Sequence, residues 1–335
     1  DPKVLFSHYL YVSGTSNTLH KYFEEFVNIS EKYTNGKVLD IACNDGTQLD
    51  KFKEKGWDTY GVDPAKNLYE KSSKNHNVIC GFWNKDVAEL LSLNTIFNLI
   101  VSQNVFAHVH DVNEFLQACK IVMNKDSYLM IQTSQSEMIL NGEFDTIYHE
   151  HLSYFHTKSL KHCANNNGFS LVDVFKTDIH GGSYVFVLRL GKYDESKAFS
   201  MIQEETEKGL YSISTYDKFK SDSINMSNEF IRKINKYKKD GYKVIGYGAA
   251  AKSNTFLNFS GVRLDYIAED NKLKVDKYTP GMKIIIKSSE VIKNENHKKL
   301  IVVALAWNFK KEITKRVIEY LGNNPKDVII YFEKG

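Results

Sequence analysis

VLDIACNDGTQL, residues Val38 to Leu49, is the stretch whose reading decides the fold. Val38, Leu39 and Ile41 make a short apolar run of the kind a buried strand carries, so Lys37–Ala42 is read as a strand. Gly46 then closes a tight turn, and Thr47–Lys55 has the spacing of a helix. A strand passing through a tight turn into a helix lets backbone N–H groups approach a ligand closely. About twenty residues on, DTYGVD (Asp58–Asp63) predicts a second strand ending in Asp63. A carboxylate there is placed to accept hydrogen bonds from both hydroxyls of a ribose. A purely structural turn with an ordinary strand-ending Asp is the alternative; the spacing of Asp63 argues against it.

The same alternation continues outward. Asn77–Trp83, Asn98–Ser102 and Ser127–Thr133 read as strands, with helical stretches at Lys66–Ser73, Asp86–Leu91, Val112–Met123 and Thr157–Asn167. Leu171–Thr177 and Ser183–Leu190 follow with no helix between them, so they should pair antiparallel. The expected first domain, residues 1–192 with an N-terminal lead-in, is therefore α/β: five parallel strands plus an antiparallel terminal pair. Residues 193–240 are rich in Lys, Glu and Ser and read as a helical connector. A second, smaller Rossmann-like α/β domain is expected over 241–335. Its strands are Lys243–Tyr247, Leu264–Ala268, Leu300–Ala304 and Asp327–Phe332, and its helices Ala249–Phe259 and Lys311–Tyr320.

Lys plus Arg number 44 against 41 Asp plus Glu, so there is no global basic field of the kind that drives nucleic-acid binding. No run of about eighteen apolar residues predicts a membrane span. Cys43, Cys80, Cys119 and Cys163 are widely spaced, forming neither a CxxC zinc pair nor a disulfide framework. Each lies in an apolar stretch, where a free Cys is usually buried, and a reducing cytoplasm is the simplest setting. The sequence begins at Asp1, as a piece of a longer polypeptide would. Nothing in it specifies an oligomeric state.

The candidate cofactor contacts are Asp40, Ala42, Asn44 and Gly46 in the loop, Asp63, then Phe82 and Trp83 after the third strand, where an adenine could lie against an apolar wall. Gln103 and Asn104 close the fourth strand. In a parallel sheet these strand ends meet in one crevice. Ala42 stands where a fingerprint glycine is usual, so the loop does not match G-x-G-x-x-G. That departure favours S-adenosylmethionine, which has no pyrophosphate needing so close a backbone approach. The expected architecture is then the Rossmann-like sheet of a class I methyltransferase.

EFDTIYHEHLSYFH (Glu143–His156) interrupts the pattern after the fifth strand. It packs three His, one Glu and two Tyr into Tyr148–His156, too much titratable chemistry for a plain connector. His149-x-His151 lacks HExxH spacing and a third ligand, so no metal is expected. His108, after the fourth strand, and His180-Gly181-Gly182-Ser183, in the turn before the last strand, join this region by position.

At this point the sequence resembles the sugar C-methyltransferases of deoxysugar biosynthesis, which methylate a ring carbon of nucleotide-linked keto sugars. The resemblance rests on LFSHYLYVSGTS, VLDIACNDGTQL, QNVFAHVHDVNEF, FDTIYHEHLSYF and HGGS, then GYGAAAKSNTFLNFSG, DNKLKVDKYTPG and LAWNFKKEI. It implies that His151 is a general base removing a proton next to a ketone, with Tyr148 and Glu150 setting its orientation. His108 would donate to the developing enolate. Tyr9, Tyr11, Tyr154 and His180–Ser183 would contact the dTDP-, UDP- or GDP-linked substrate. In the second domain the N–H groups at Ala249–Ala251, with Ala250, Lys252 and Asn254, would hold it. The family usually carries an N-terminal zinc module with clustered cysteines, Gly at position 42 and Arg at 185; here no such cluster stands, and the residues are Ala42 and Val185.

Two other functions remain open on the residues. The same scaffold could methylate an oxygen or nitrogen. GYGAAAKSN (Gly246–Asn254), with Asp270 about twenty residues later, also reads as the fingerprint of an NAD-dependent dehydrogenase or of an inactive binding module.

Overall fold

The computed structural model describes residues 2–134, 136–295 and 299–322, in two compact units. The first runs to Glu137 and resumes over Glu150–Lys208. The second is Met138–His149 together with the described residues from Gly209 on.

In the first unit, α1 (Pro2–Phe6) and α2 (Asn17–Ser30) precede the sheet. Then β1 (Lys37–Ile41), α3 (Thr47–Glu54), β2 (Asp58–Asp63), α4 (Lys66–Ser73), β3 (Asn77–Cys80), α5 (Lys85–Ser92) and β4 (Leu99–Gln103) alternate. They are followed by α6 (Val112–Ile121), β5 (Tyr128–Thr133), α7 (Thr157–Asn166), β6 (Phe169–Thr177), β7 (Ser183–Leu190) and α8 (Ser196–Glu207). The strands form one seven-stranded sheet in the order β3-β2-β1-β4-β5-β7-β6. β1 to β5 are parallel, and β7 inserts antiparallel between β5 and β6. This is the architecture expected from the alternating pattern.

The apolar runs are continuous because both faces of the sheet are covered. Leu39, Ile41, Ile100, Leu129 and Ile131 enter one core cluster. Their alternate neighbours Val38, Leu99, Val101 and Met130 enter the other. Helix starts follow side-chain chemistry: Ser16 accepts from the Leu19 N–H, Asn84 from Val87, and Asp111 from Asn113 and Glu114. The cysteines are free; Cys43 and Cys119 are buried as expected, whereas Cys80 is exposed at the end of β3.

The second unit holds α9 (Ile213–Lys239), β8 (Lys243–Tyr247), α10 (Ala251–Ser260), β9 (Ile267–Glu269), β10 (Ile286–Ser288), β11 (Leu300–Ala304) and α11 (Lys310–Leu321). Its parallel sheet has the order β10-β9-β8-β11. Val244, Ile301 and Val303 face α9 and α10 through Phe230, Ile234, Phe256 and Leu257. Ile245, Leu300 and Val302 face α11 through Ile313 and Val317. The stretch read as one connector thus contributes α8 to the first unit and α9 to the second. The strand expected at Asp327–Phe332 lies outside the described residues. No described helix is long and apolar enough to cross a membrane.

Candidate active site

The C-terminal ends of β1 to β5 lie on one edge of the first unit's sheet. Strand order reverses between β1 and β4, where open α/β sheets bind ligands. Three non-glycine residues on this edge adopt positive φ: Ala42 at 63°, Asn44 at 53° and Asn104 at 55°. Gly46, at φ 83°, caps α3, and a Cβ there would meet the Ser72 backbone at 3.2 Å. Such backbone clusters where the chain must present its N–H groups in unusual directions.

Asp63 organises the loop. One carboxylate oxygen accepts from the Asn44 N–H at 2.8 Å and the other from the Ala65 N–H at 2.7 Å. Burial still pushes its pKa above the ordinary carboxylate value, against those two donors. Asp40, 4% exposed, is pushed well up by burial and by the charge of Asp63. The Gln103 amide donates to Gln48 at 2.6 Å. The carbonyl of Gln103, the amide nitrogen of Gln48 and both polar atoms of Gln132 are buried without hydrogen bonds among the described residues. Gln48 and Gln132 carry no motif, so sequence reading passed over them. Of the pair after β3, Trp83 turns its indole to the core, donating to the Phe115 carbonyl at 3.4 Å, while Phe82 is half-buried outside the core clusters.

The histidines assemble beside this edge. Leu152 and Ser153 donate their N–H groups to the Ala107 carbonyl at 2.8 and 3.2 Å, fastening the insert to the turn that holds His108. His108 and His151 then stand edge to face with centroids 4.8 Å apart, and His151 is only 6% exposed. Tyr154 meets His151 edge to face, with centroids 6.2 Å apart. Burial lowers the His108 pKa, outweighing the neighbouring Glu150 backbone, and its Nδ1 has no well-formed hydrogen bond. From the lead-in, Phe6 meets His108 at 5.9 Å and Tyr9 at 5.6 Å. Tyr9 and Tyr11 have raised pKa values, Tyr9 by burial and the Glu150 charge, Tyr11 by burial to about 12.

Other candidates fall into different surroundings. His180, at φ 57°, sits in the β6–β7 turn, on the edge where Thr133 pairs Tyr184; the Ser183 hydroxyl closes that turn on the Ile179 carbonyl at 2.8 Å. Gly181 and Gly182 adopt φ 93° and 124° there. His156 is a helix cap, its Nδ1 accepting from the Ser159 N–H. Tyr148 belongs to the segment that folds with the second unit, whereas Glu150 and His151 fold with the first.

Within the second unit, Phe144 packs on Phe256 and Phe259, and Asp145 accepts from the Trp307 indole at 2.7 Å. Lys252 lies 3.8 Å from Glu143 and 4.8 Å over the Trp307 ring, with no hydrogen bond to its ammonium. Ala250 opens α10 without a side-chain cap, and Asn254 accepts from Asn258. Among the described residues, no group of three or more His, Cys, Asp or Glu is arranged to hold a metal ion.

Residues 16–174 match the family described as a methyltransferase domain, and residues 178–331 match the C-methyltransferase C-terminal domain. The chain is 28% identical over 342 aligned positions to the C-methyltransferase NovU of Streptomyces niveus, covering 98% of this chain and 81% of that one. The two halves of the chain thus match methyltransferase models, the second a C-methyltransferase one. The chain is also 25% identical over 161 positions to an uncharacterized protein of Methanocaldococcus jannaschii, covering 46% of this chain and 69% of that one. Among solved structures, an S-adenosylmethionine-dependent methyltransferase from Clostridium acetobutylicum aligns with TM-score 0.41 and 10% identity, over 52% of this chain and 92% of that one. The methyltransferase CcbJ from Streptomyces caelestis aligns with TM-score 0.42 and 11% identity, over 51% and 90%.

The enzyme is an S-adenosylmethionine-dependent methyltransferase. Its first unit fits that cofactor chemically. Buried Gln48, Gln103 and Gln132 atoms seek polar partners, and Asp40 is a buried carboxylate that a cationic group would relieve.

Proposed function

We propose that this C-methyltransferase acts on the carbon beside the ketone of a nucleotide-linked keto-deoxysugar, with His151 as the general base. The observation that carries the reading is the pair of half-buried His108 and buried His151, with ring centroids 4.8 Å apart, next to the edge where β1 to β5 end. S-adenosylmethionine, held by Asp40, Asn44, Gly46 and Asp63 with Phe82 and Gln103 nearby, supplies an electrophilic methyl group. The carbon that receives it must first lose a proton, and a ketone neighbour gives that proton up only to a placed base with the enolate oxygen stabilised. His151 takes the proton. His108, kept neutral by burial, donates a hydrogen bond to the enolate oxygen. Glu150 orients His151, and Tyr9, Tyr11, Tyr154 and the His180–Ser183 turn contact the sugar.

In the second unit the uncapped start of α10, with Ala250, Lys252 and Asn254, holds the nucleotide's phosphates. A helix start without a side-chain cap and a lysine that lies 3.8 Å from Glu143 without a hydrogen bond support that reading.

The experiment is deuterium exchange into a dTDP-linked keto-deoxysugar in D₂O without methyl donor. Exchange at one ring carbon is expected, and His151→Ala should slow it by about 10²–10⁴ while leaving cofactor binding in place. Methylation without exchange at any ring carbon would move the enzyme to oxygen or nitrogen acceptors and remove the enolate.

A further inference from the structure

The lead-in before α2 crosses the cofactor loop as a strap, and four backbone groups of it are held by two asparagines. Asn67, at the start of α4, accepts from the Tyr9 N–H at 2.9 Å and donates to the Tyr9 carbonyl at 2.8 Å. Asn44, in the cofactor loop, accepts from the Ser13 N–H at 3.0 Å and donates to the Tyr11 carbonyl at 3.1 Å. Each carboxamide thus grips the strap with both its oxygen and its nitrogen, as a neighbouring strand would. Gly14 follows, its N–H 3.2 Å from the Asp45 carboxylate, so close that a Cβ would stand 2.6 Å from Asp45 and Thr47. Lys71 fixes the same Asp45 oxygen at 2.6 Å.

Both anchors lead back to one carboxylate. Asp63 binds the N–H of Asn44 with one oxygen and, with the other, the N–H of Ala65, two residues before Asn67. We propose that Asn67 and Asn44 are positioning residues that latch the strap, so that engagement of Asp63 by the cofactor sets where Tyr9 and Tyr11 stand. A hydroxyl donated to Asp63 fixes that carboxylate, and the carboxylate fixes both segments from which the asparagines reach. Methyl donor would therefore bind before acceptor, because the acceptor's tyrosine wall is completed only on the closed strap. The inference rests on the reading that these tyrosines meet the acceptor.

Hydrogen exchange of the peptide covering residues 7–14, in the whole protein with and without S-adenosylhomocysteine, tests it. In the wild type the ligand should slow exchange about tenfold, the loss of two ordinary hydrogen bonds being worth that much population. Asn67→Ala should exchange fast in both conditions, while calorimetry shows S-adenosylhomocysteine still binding, weakened by no more than about tenfold, the reciprocal of the same coupling. Asn67→Asp, which keeps the acceptor for the Tyr9 N–H and loses the donor, should fall between, and it decides the matter if the alanine variant does not fold. Wild-type exchange in both Asn67 variants overturns the latch. Ligand binding with no change in strap exchange overturns the coupling. If the latch behaves as expected but Tyr9→Phe and Tyr11→Phe leave the acceptor KM unchanged, the positioning stands and the tyrosines' proposed contact with substrate falls.

Discussion

Ala42 stands in left-handed backbone, at φ 63°, between the last residue of β1 and the buried Cys43. Its N–H is committed to the Val62 carbonyl at 2.7 Å, so the loop cannot relax without losing that bond. An L-residue in this region costs about 1–2 kcal/mol, which glycine does not pay. Ala42→Gly recovers that strain and gives back about 0.5–1 kcal/mol through the greater freedom of the unfolded chain. Loss of one half-buried methyl removes about 0.4 kcal/mol more. The balance is a stabilisation of about 0.5 kcal/mol, or about 1–2 °C in Tm for a unit of this size. Differential scanning calorimetry reads it directly. Ala42→Val is the opposing control, since a β-branched residue fits positive φ worst, and it should lower Tm. Asn44→Gly should gain less strain relief than Ala42→Gly, because Asn tolerates this conformation, and it also forfeits the strap contacts. A drop in Tm for Ala42→Gly would refute the argument that strain at this residue is relieved by losing its Cβ.

Asp40→Asn should stabilise the first unit at neutral pH while weakening S-adenosylhomocysteine binding. The buried carboxyl has a raised pKa, so its contribution favours folding only below the unfolded value and is lost as pH rises through the folded one. The gain in Tm should therefore shrink as pH falls from 7 towards 4, and thermal melts across that range check it; a gain that grows on acidification would contradict the sign. Trp307→Phe removes the donor to Asp145, a carboxylate 4% exposed, and should destabilise the second unit by about 1–3 kcal/mol in urea unfolding. Restoring the loss with Asp145→Asn would be inconsistent, because the amide would need its own partners.

Most of the sheet could be read because β1, β4 and β5 are buried on both faces and so carry unbroken apolar runs. β10 could not: it is three residues long with Lys287 exposed, and its strand character comes from pairing with β9. α2 was readable in principle, since Leu19, Tyr22, Phe23, Phe26 and Val27 repeat at helical spacing after the Ser16 cap, yet they sit in what reads as a lead-in. The histidine insert announced its chemistry but not its division. Phe144 enters one core and His151 another environment, and that partition depends on which apolar surface each side chain meets. Asn67, Gln48 and Gln132 were illegible for a simpler reason: a carboxamide has no motif, and its role exists only once its partners are placed.

The two units reuse one device, and the comparison weighs against a dinucleotide in the second. Asp63 ties the β1 loop through the Asn44 N–H; Glu269 ties the β8 loop through the Ala249 N–H at 2.8 Å and its own turn through Asn271 at 2.9 Å. The glycines that make the second loop look like a fingerprint have packing reasons. A Cβ on Gly246 would lie 2.5 Å from Leu305, and one on Gly248 would lie 2.8 Å from Ala306. Asp270, the residue at ribose-binding distance along the chain, accepts from the Tyr247 and Ser289 hydroxyls and pairs with Arg316 at 3.0 Å. A ribose would have to compete with three donors already in place. At the start of α10 the N-cap offers no side-chain cap, the Lys252 ammonium makes no hydrogen bond although it lies 3.8 Å from Glu143, and the Ser253 hydroxyl is buried without one. The carboxylate at ribose-binding spacing is thus already committed, and the glycines of the better-looking fingerprint are explained by packing, so the residues around it do not favour a dinucleotide.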